Sequence, residues 1–524
     1  MLSSDDQVGD RTGEAMAVAE ELLQVDDIQG NVLRGFNTAV LDLIGLKIAG
    51  TGARTWIASL ADDIDSVSST HGYRLQRSFA PEATAESVQI NAAFSARGLK
   101  NLGMPVDSVK DGFFQSPMGA LAGSLGDPVV AGKPSGYRLG TDWDDTPDLL
   151  LLVGGESQTA VAQAGDALIV AAKAAGLELC YHESGAKLPG DVEHFGFRDG
   201  ISQPGVRGRL SAKADDFLTP RLLVPDDANF GRFSKPGQQL VWPGQFVFGY
   251  ATQLPHDPFS LGPKSTGGAA WMENGSFLVF RRLGQDVPRF QAFASELASS
   301  LTRITGRNVN AEYAAALVVG RWPDGTPLLA DGTGPNPTIS GDDMLVNFFS
   351  YAGGPDRLNI RDGGALRTVS SAPADPKGLS CPMFAHIRKV NPRGLPTDQD
   401  TIPDQTLTMQ MLRRGIPFGP KYTGNNAGDC RGLFFLAYMT SIQRQFAQLN
   451  RVWMNNSGAP ELHDEGFDML VGQAAKGDRF LTMRDAQGNE ILRLPSADNW
   501  VLPTGGAFLF APSISFFRNL ALTS

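Results

Sequence analysis

The chain has 524 residues, 42% of them hydrophobic and 19% charged, with a net charge of −11. This is the composition of a globular protein long enough for more than one core, and the acidic balance argues against nucleic acid as a partner. Three widely spaced cysteines, Cys180, Cys381 and Cys430, make neither a disulfide framework nor a CxxC metal site, and no apolar run approaches the ~20 residues of a membrane span.

Residues 1–25 lack a basic start and a continuous apolar core, so they do not read as a conventional secretory signal. They are expected to form a flexible tail with an amphipathic stretch at 15–23. The protein is expected in the cytoplasm, with secretion by another route left open.

The run VLDLIGLKIAG (40–50) is apolar and β-rich, and TWIASLADDI (55–64) spaces Trp56, Leu60 and Ile64 as on a helix. SVQINAAFS (87–95) alternates like a strand. DLLLLVGG (148–155) reads as a buried strand, 158–176 as an Ala-rich helix and LELCYHES (177–184) as a returning strand. This β-α-β order repeated is the pattern of a ferredoxin-like α+β unit. A polar, loop-like break falls at 210–240. Beyond it GQFVFGY (244–250) is strand-like, SFLVFRRLG (276–284) a strand and VPRFQAFASELASSL (287–301) a helix. TLTMQMLRR (406–414) and GLFFLAYM (432–439) read as strands. SIQRQFAQLNRVWMN (441–455) reads as a helix with Ile442, Phe446, Leu449 and Trp453 on one stripe, and GGAFLFAPS (505–513) as a last strand. Segments 321–345 and 354–405 are rich in Gly, Pro and Asp and are expected to be long ordered loops. The expected fold class is α+β: two ferredoxin-like domains with antiparallel sheets, duplicated over 26–225 and 226–524.

No HExxH, Walker A, helix-opening GxGxxG or GxSxG pattern occurs, so zinc hydrolysis, nucleotide binding and α/β-hydrolase chemistry lose their usual signals. Three stretches carry other chemistry. EHFGFRDGISQPGV (193–206) is irregular backbone, punctuated by glycine and proline. Its Asp199 is either a turn residue bonding its own backbone, the reading favoured locally, or a carboxylate held over a reactive centre. CPMFAHIRKVNPR (381–393) sets His386 among Arg388, Lys389 and Arg393. A lone histidine is most often structural, but these cations suggest an anionic ligand such as haem, whose iron takes a neutral imidazole and whose propionates take a guanidinium. MLRRGIPFGP (411–420) carries Arg413 and Arg414, which on a strand face opposite sides.

GFRDG, AHIRKVNPR, LRRGIPFGP and RGLFFLAYMTSIQRQF, with DIQGNVLRGF (27–36), together resemble the dye-decolorizing (DyP-type) peroxidases, in family order and over nearly the whole chain. Length and long loops are similar to the larger members. The resemblance implies two ferredoxin-like domains with one haem b per chain, mainly in the C-terminal one. His386 matches the proximal iron ligand, Asp199 the distal aspartate, Arg413 the distal arginine and Arg393 a propionate partner. Leu433 and Phe435 match apolar residues over the distal face, and Asp468, in EGFDMLVG, the acid that accepts from the proximal imidazole. Hydrogen peroxide would then oxidise a dye, phenol or other bulky reductant through a ferryl-haem intermediate. An aspartate as distal base favours acid pH, because a carboxyl ordinarily titrates near pH 4. Bulky reductants imply a surface electron route. Phe418 stands where larger members often carry a tyrosine, which leaves Trp453 and Tyr438 as candidates. Expected partners are peroxide, the organic reductant or alternatively Mn(II), and a second copy of the chain in a homodimer. Competing readings are a haem carrier or deferrochelatase-like protein of the same fold, a Mn(II)-oxidising peroxidase, and a non-haem α+β binding protein.

Overall fold

The computed structural model describes residues 20–255, 257–397, 405–461, 464, 466–473 and 479–522. The apolar runs of the first half form β1 (Val40–Ile48), β2 (Val88–Phe94), β3 (Leu149–Gly155) and β4 (Leu177–Ala186), joined by helices α1 (Ala53–Ser59) and α2 (Gln158–Ala174). The second half supplies β5 (Ser276–Gln285), β6 (Ile416–Phe418), β7 (Gly432–Met439) and β8 (Val501–Ala511). Its helices are α3 (Val287–Thr305), α4 (Ala311–Val319), α5 (His386–Val390), α6 (Ile442–Met454) and α7 (Ile514–Leu522).

The strands pair antiparallel in the order β5-β8-β2-β3-β1-β4-β6-β7, and β7 returns to pair with β5, so the sheet closes into a barrel. The first half contributes the contiguous order β2-β3-β1-β4 and the second β8-β5-β7-β6. Each is the strand order of a ferredoxin-like unit, with its first and third strands at the centre. The two seams are narrow: Phe94 faces Phe510 between β2 and β8, and Phe418 faces Gly185 between β6 and β4.

Side-chain alternation along the strands builds two cores, because successive residues point to opposite faces. Leu41, Leu43, Leu150, Leu152, Leu278, Phe280, Phe434, Leu436 and Leu509 fill the barrel. Ile44, Leu151, Val279, Ala437 and Phe508 face outward and are covered by the helices, including Ile57 of α1, Ile169 of α2 and Trp453 of α6. With both faces covered, LLLLVGG is buried throughout, as a strand without polar alternation must be. A third core lies outside the barrel on the second half, where α3 and α4 pack with Trp322, Tyr351, Phe384 and Trp500. Asp286 caps α3 by accepting from the Arg289 N–H at 3.0 Å, the interaction expected of an N-cap aspartate. None of the helices among the described residues is long and apolar enough to cross a membrane.

Four segments depart from expectation. Residues 20–25, assigned to the tail, are built into the fold. Glu20 is buried in ion pairs with Arg207 and Arg221, and Leu23 is buried. GQFVFGY is not a strand: Pro243–Gln245 form a short helical turn, and Phe246, Val247 and Phe248 are buried in a loop. TLTMQMLRR divides into a helical turn at Gln405–Met409 and a two-residue strand, Leu412–Arg413, that pairs with β7. Within 354–405 a hairpin pairs Arg357–Asp362 with Ala365–Ser370.

Candidate active site

The turn carrying Asp199 is shaped by Gly196 and Gly200, whose positive φ angles of 96° and 72° favour glycine. Asp199 Oδ1 accepts the Gly200 N–H at 2.6 Å, and the Asp199 N–H donates to Asp191 O at 3.3 Å. Arg198 pins the turn to 321–345 by donating to the carbonyls of Asp324 and Ser340 at 3.2 and 2.9 Å. So the backbone-bonding reading of Asp199 holds for one oxygen only. The other, Oδ2, lies 3.4 Å from where a Cβ on Gly415 would stand, and Leu433 Cδ2 lies 3.7 Å from the same point. A side chain at 415 would fill the space these groups share.

Arg413 and Arg414 diverge, as neighbours on extended backbone should. Arg414 reaches back to the carbonyls of Asn31, Val32 and Leu33 at 2.9, 2.9 and 3.2 Å. Arg413 donates to the Ser202 carbonyl, and Gln203 holds its backbone from both sides at 3.2 Å. Burial lowers the Arg413 pKa while the Asp199 charge raises it, which places the guanidinium in the field of that carboxylate. On β7, Leu433 and Phe435 are half-buried and share a face, while Phe434 turns into the barrel and stacks on Phe418 at 4.5 Å.

His386 opens α5. Its Nδ1 lies 2.7 Å from Asp468 Oδ2, and Asp468 is fully buried. The second Asp468 oxygen accepts the N–H groups of Leu470 and Val471 at 2.9 and 3.1 Å. An ionised carboxylate only accepts. Nδ1 therefore carries the hydrogen, and Nε2 is left with a free lone pair, the arrangement of a metal-ligating histidine. The ring remains 28% exposed.

Arg393 lies flat over Phe349, 3.8 Å from the ring centre. It donates to Asn347 O at 2.8 Å and to Ser202 Oγ at 3.2 Å. Arg321 donates to Gly325 O, Val346 O and Asn347 Oδ1 at 2.8, 2.8 and 2.7 Å. Burial lowers Arg393 to about 10 and Arg321 to about 9, with their mutual repulsion adding to Arg321; both remain cations at neutral pH. Among the described residues neither has a carboxylate partner, and cations withdrawn from water and bonded only to neutral carbonyl and hydroxyl oxygens call for an anion. Ser202 joins the two sides, its carbonyl taking Arg413 and its hydroxyl Arg393.

An imidazole lone pair, buried cations, an apolar wall and a carboxylate beside a guanidinium fit an iron porphyrin with anionic propionates. Asp199 comes from the first half of the chain; His386, Arg393, Arg413, Leu433, Phe435 and Asp468 come from the second. Trp453 and Tyr438 require correction. Trp453 is 0% exposed beneath the sheet, and Tyr438 is 1% exposed inside the barrel, where its hydroxyl accepts from Asn31 Nδ2 at 3.4 Å. Neither is a surface residue, because the helical stripe and the strand face that carry them are both core faces. Sequence reasoning also passed over Ser202 and Arg321. Ser202 lies in the ISQP run directly after Asp199, a signal that was available. Arg321 follows Gly320 in a segment with no local periodicity.

A family model described as the DyP dimeric alpha+beta barrel domain matches residues 27–181. The chain is 28% identical to dye-decolorizing peroxidase msp1 of Mycetinis scorodonius, over 97% of this chain and 89% of that protein. It is 27% identical to the multifunctional dye peroxidase DyP2 of an Amycolatopsis species, over 96% of this chain and 97% of that one. A solved structure of an ancestral D-type dye decolorizing peroxidase superimposes with a TM-score of 0.74 at 28% identity, covering 95% of this chain and 99% of the other. In its barrel, in the order of its motifs and along nearly its whole length, the chain is similar to dye-decolorizing peroxidases.

Proposed function

We propose that this chain is a haem peroxidase in which His386 Nε2 takes the iron, Arg393 and Arg321 meet the propionates, and Asp199 with Arg413 act on hydrogen peroxide. Haem b, when bound, supplies the redox iron that accepts the oxidising equivalents of peroxide and passes them to a reductant. Asp199 Oδ2 takes a proton from one peroxide oxygen and returns it to the other, directly or through a water. Arg413 stabilises the negative charge that grows on the departing oxygen. Asp468 holds the His386 hydrogen on Nδ1 and makes the ring a stronger donor through Nε2. Leu433 and Phe435 keep bulky molecules from the peroxide side, so a dye or phenol gives up its electrons from outside the pocket. A carboxyl in the position of base favours acid pH.

The observation that carries this reading is Asp199 Oδ2 turned to the space over Gly415, with Arg413 within its field. A haem carrier needs His386 but has no use for that pair.

The test is the rate of reaction with peroxide in Asp199→Ala and Arg413→Leu. Each is expected to fall by about 10²–10⁴-fold with haem absorbance retained. Haem-loaded variants that react at the parent rate would refute the assignment.

A further inference from the structure

We propose that Glu193 is a positioning residue for Asp199: a second carboxyl that is neutral while the enzyme works and whose charge, once present, weakens the distal pair. The inference rests on the peroxidase reading above and adds a residue to it.

Glu193 begins the turn that ends in Asp199. It is half-buried, and both carboxylate oxygens are turned onto protein donors: Oε1 accepts the Phe197 N–H at 2.9 Å, and Oε2 accepts the Phe195 N–H at 2.9 Å and the Gln285 side-chain amide. Its backbone closes the same turn, donating to Phe197 O at 2.9 Å and accepting from Gly196 at 2.9 Å. The flanking rings pack on α3, Phe195 at 4.4 Å and Phe197 at 6.5 Å from the ring of Phe290.

Gln285, at the end of β5, is the unusual partner. Its Nε2 donates to Glu193, while its Oε1 is buried with no hydrogen-bond partner. Amide orientation follows from the network around it. Rotated by half a turn, the amide would present that oxygen to a Glu193 O–H. Gln285 can therefore serve the acid and the carboxylate alike, and the turn survives either state.

Burial pushes Glu193 up to about 7, its three hydrogen bonds hold it back, and the Asp199 charge adds to the rise. Other charged groups nearby are engaged elsewhere. Arg198 binds the Asp324 and Ser340 carbonyls, Asp286 caps α3, Arg431 donates to Pro420 O and Asn426 O, and the His194 ring meets Phe418 O. Below neutral pH, Glu193 is uncharged. Above it, a second anion on the same turn offsets the charge of Arg413 and opposes the negative charge building on the departing oxygen.

The experiment compares haem-loaded parent, Glu193→Gln and Gln285→Leu by infrared titration and by peroxide reaction rate against pH. The parent should show a carboxyl band titrating near pH 7 that Glu193→Gln lacks. Its rate should fall by up to about tenfold between roughly pH 6 and pH 8, the limit that one ionisation at that midpoint sets, and Glu193→Gln should not show this fall. Gln285→Leu removes a donor from the anion and should move the fall to higher pH, a shift that loss of packing alone would not give. If Glu193→Gln fails to fold, Gln285→Leu carries the test. An unchanged alkaline fall in the folded variants, or no carboxyl titrating near neutrality, would overturn the role of Glu193. A parent that does not react with peroxide at any pH would instead overturn the proposed function, while the infrared titration still judges the carboxyl.

Discussion

The Asp468–His386 contact decides which imidazole nitrogen is free. A buried carboxylate at 2.7 Å from Nδ1, its other oxygen occupied by two backbone N–H groups, fixes the tautomer without help from any ligand. Asp468→Asn replaces an acceptor-only group by an amide that either accepts or donates, and it removes the negative charge that strengthens the ring. We expect haem affinity to drop about 10–100-fold, measured as the rate of haem transfer to a scavenger protein; an unchanged rate would mean the contact does not tune the ligand. At this scale the sequence was informative where the residues lie close together, as in GFRDG and AHIRKVNPR. It could not choose between Arg413 and Arg414, because alternation allows either to face the pocket; the choice comes from the carbonyls of 31–33, almost 400 positions away in the chain, that claim Arg414. The setting of Glu193 was hidden for the same reason: its side-chain partner, Gln285, lies 92 positions away.

Among the elements, strands announced themselves where apolar residues run or alternate, and α3 and α6 where the stripe keeps helical spacing. GQFVFGY misled because apolar aromatic content reports burial, not extension. Pro243 and Gly249, the latter at φ 94°, bend that segment into a buried loop. The hairpin within 354–405 was missed because its strands are largely exposed and polar, so they carry little apolar pattern. The stripe of α6 was legible, and its meaning is packing: Ile442, Phe446, Leu449 and Trp453 are all buried. Trp453→Ala should cost about 3–5 kcal/mol, as large aromatic deletions in cores do, seen as a lower denaturant midpoint. A negligible shift would contradict its core role.

For the molecule as a whole, the two units were visible in the order of elements, but their closure into one barrel was not. Each seam rests on a single facing pair, Phe94 with Phe510 and Phe418 with Gly185, and nothing in the local sequence around those residues marks an edge-to-edge partner. Closure matters to the site. It brings the Asp199 turn, from the first unit, over β6 and β7 of the second, and Ser202 then ties Arg413 to Arg393. The account as a whole stands on the proposal that His386 takes a haem iron through Nε2. Its most direct measurement is the absorption spectrum of the purified, haem-reconstituted chain beside His386→Ala. The chain should bind one haem with the Soret band of a histidine-ligated iron, and His386→Ala should lose that band or shift it until imidazole is added. A parent chain that takes up no haem, or a variant with the parent spectrum, would contradict the account.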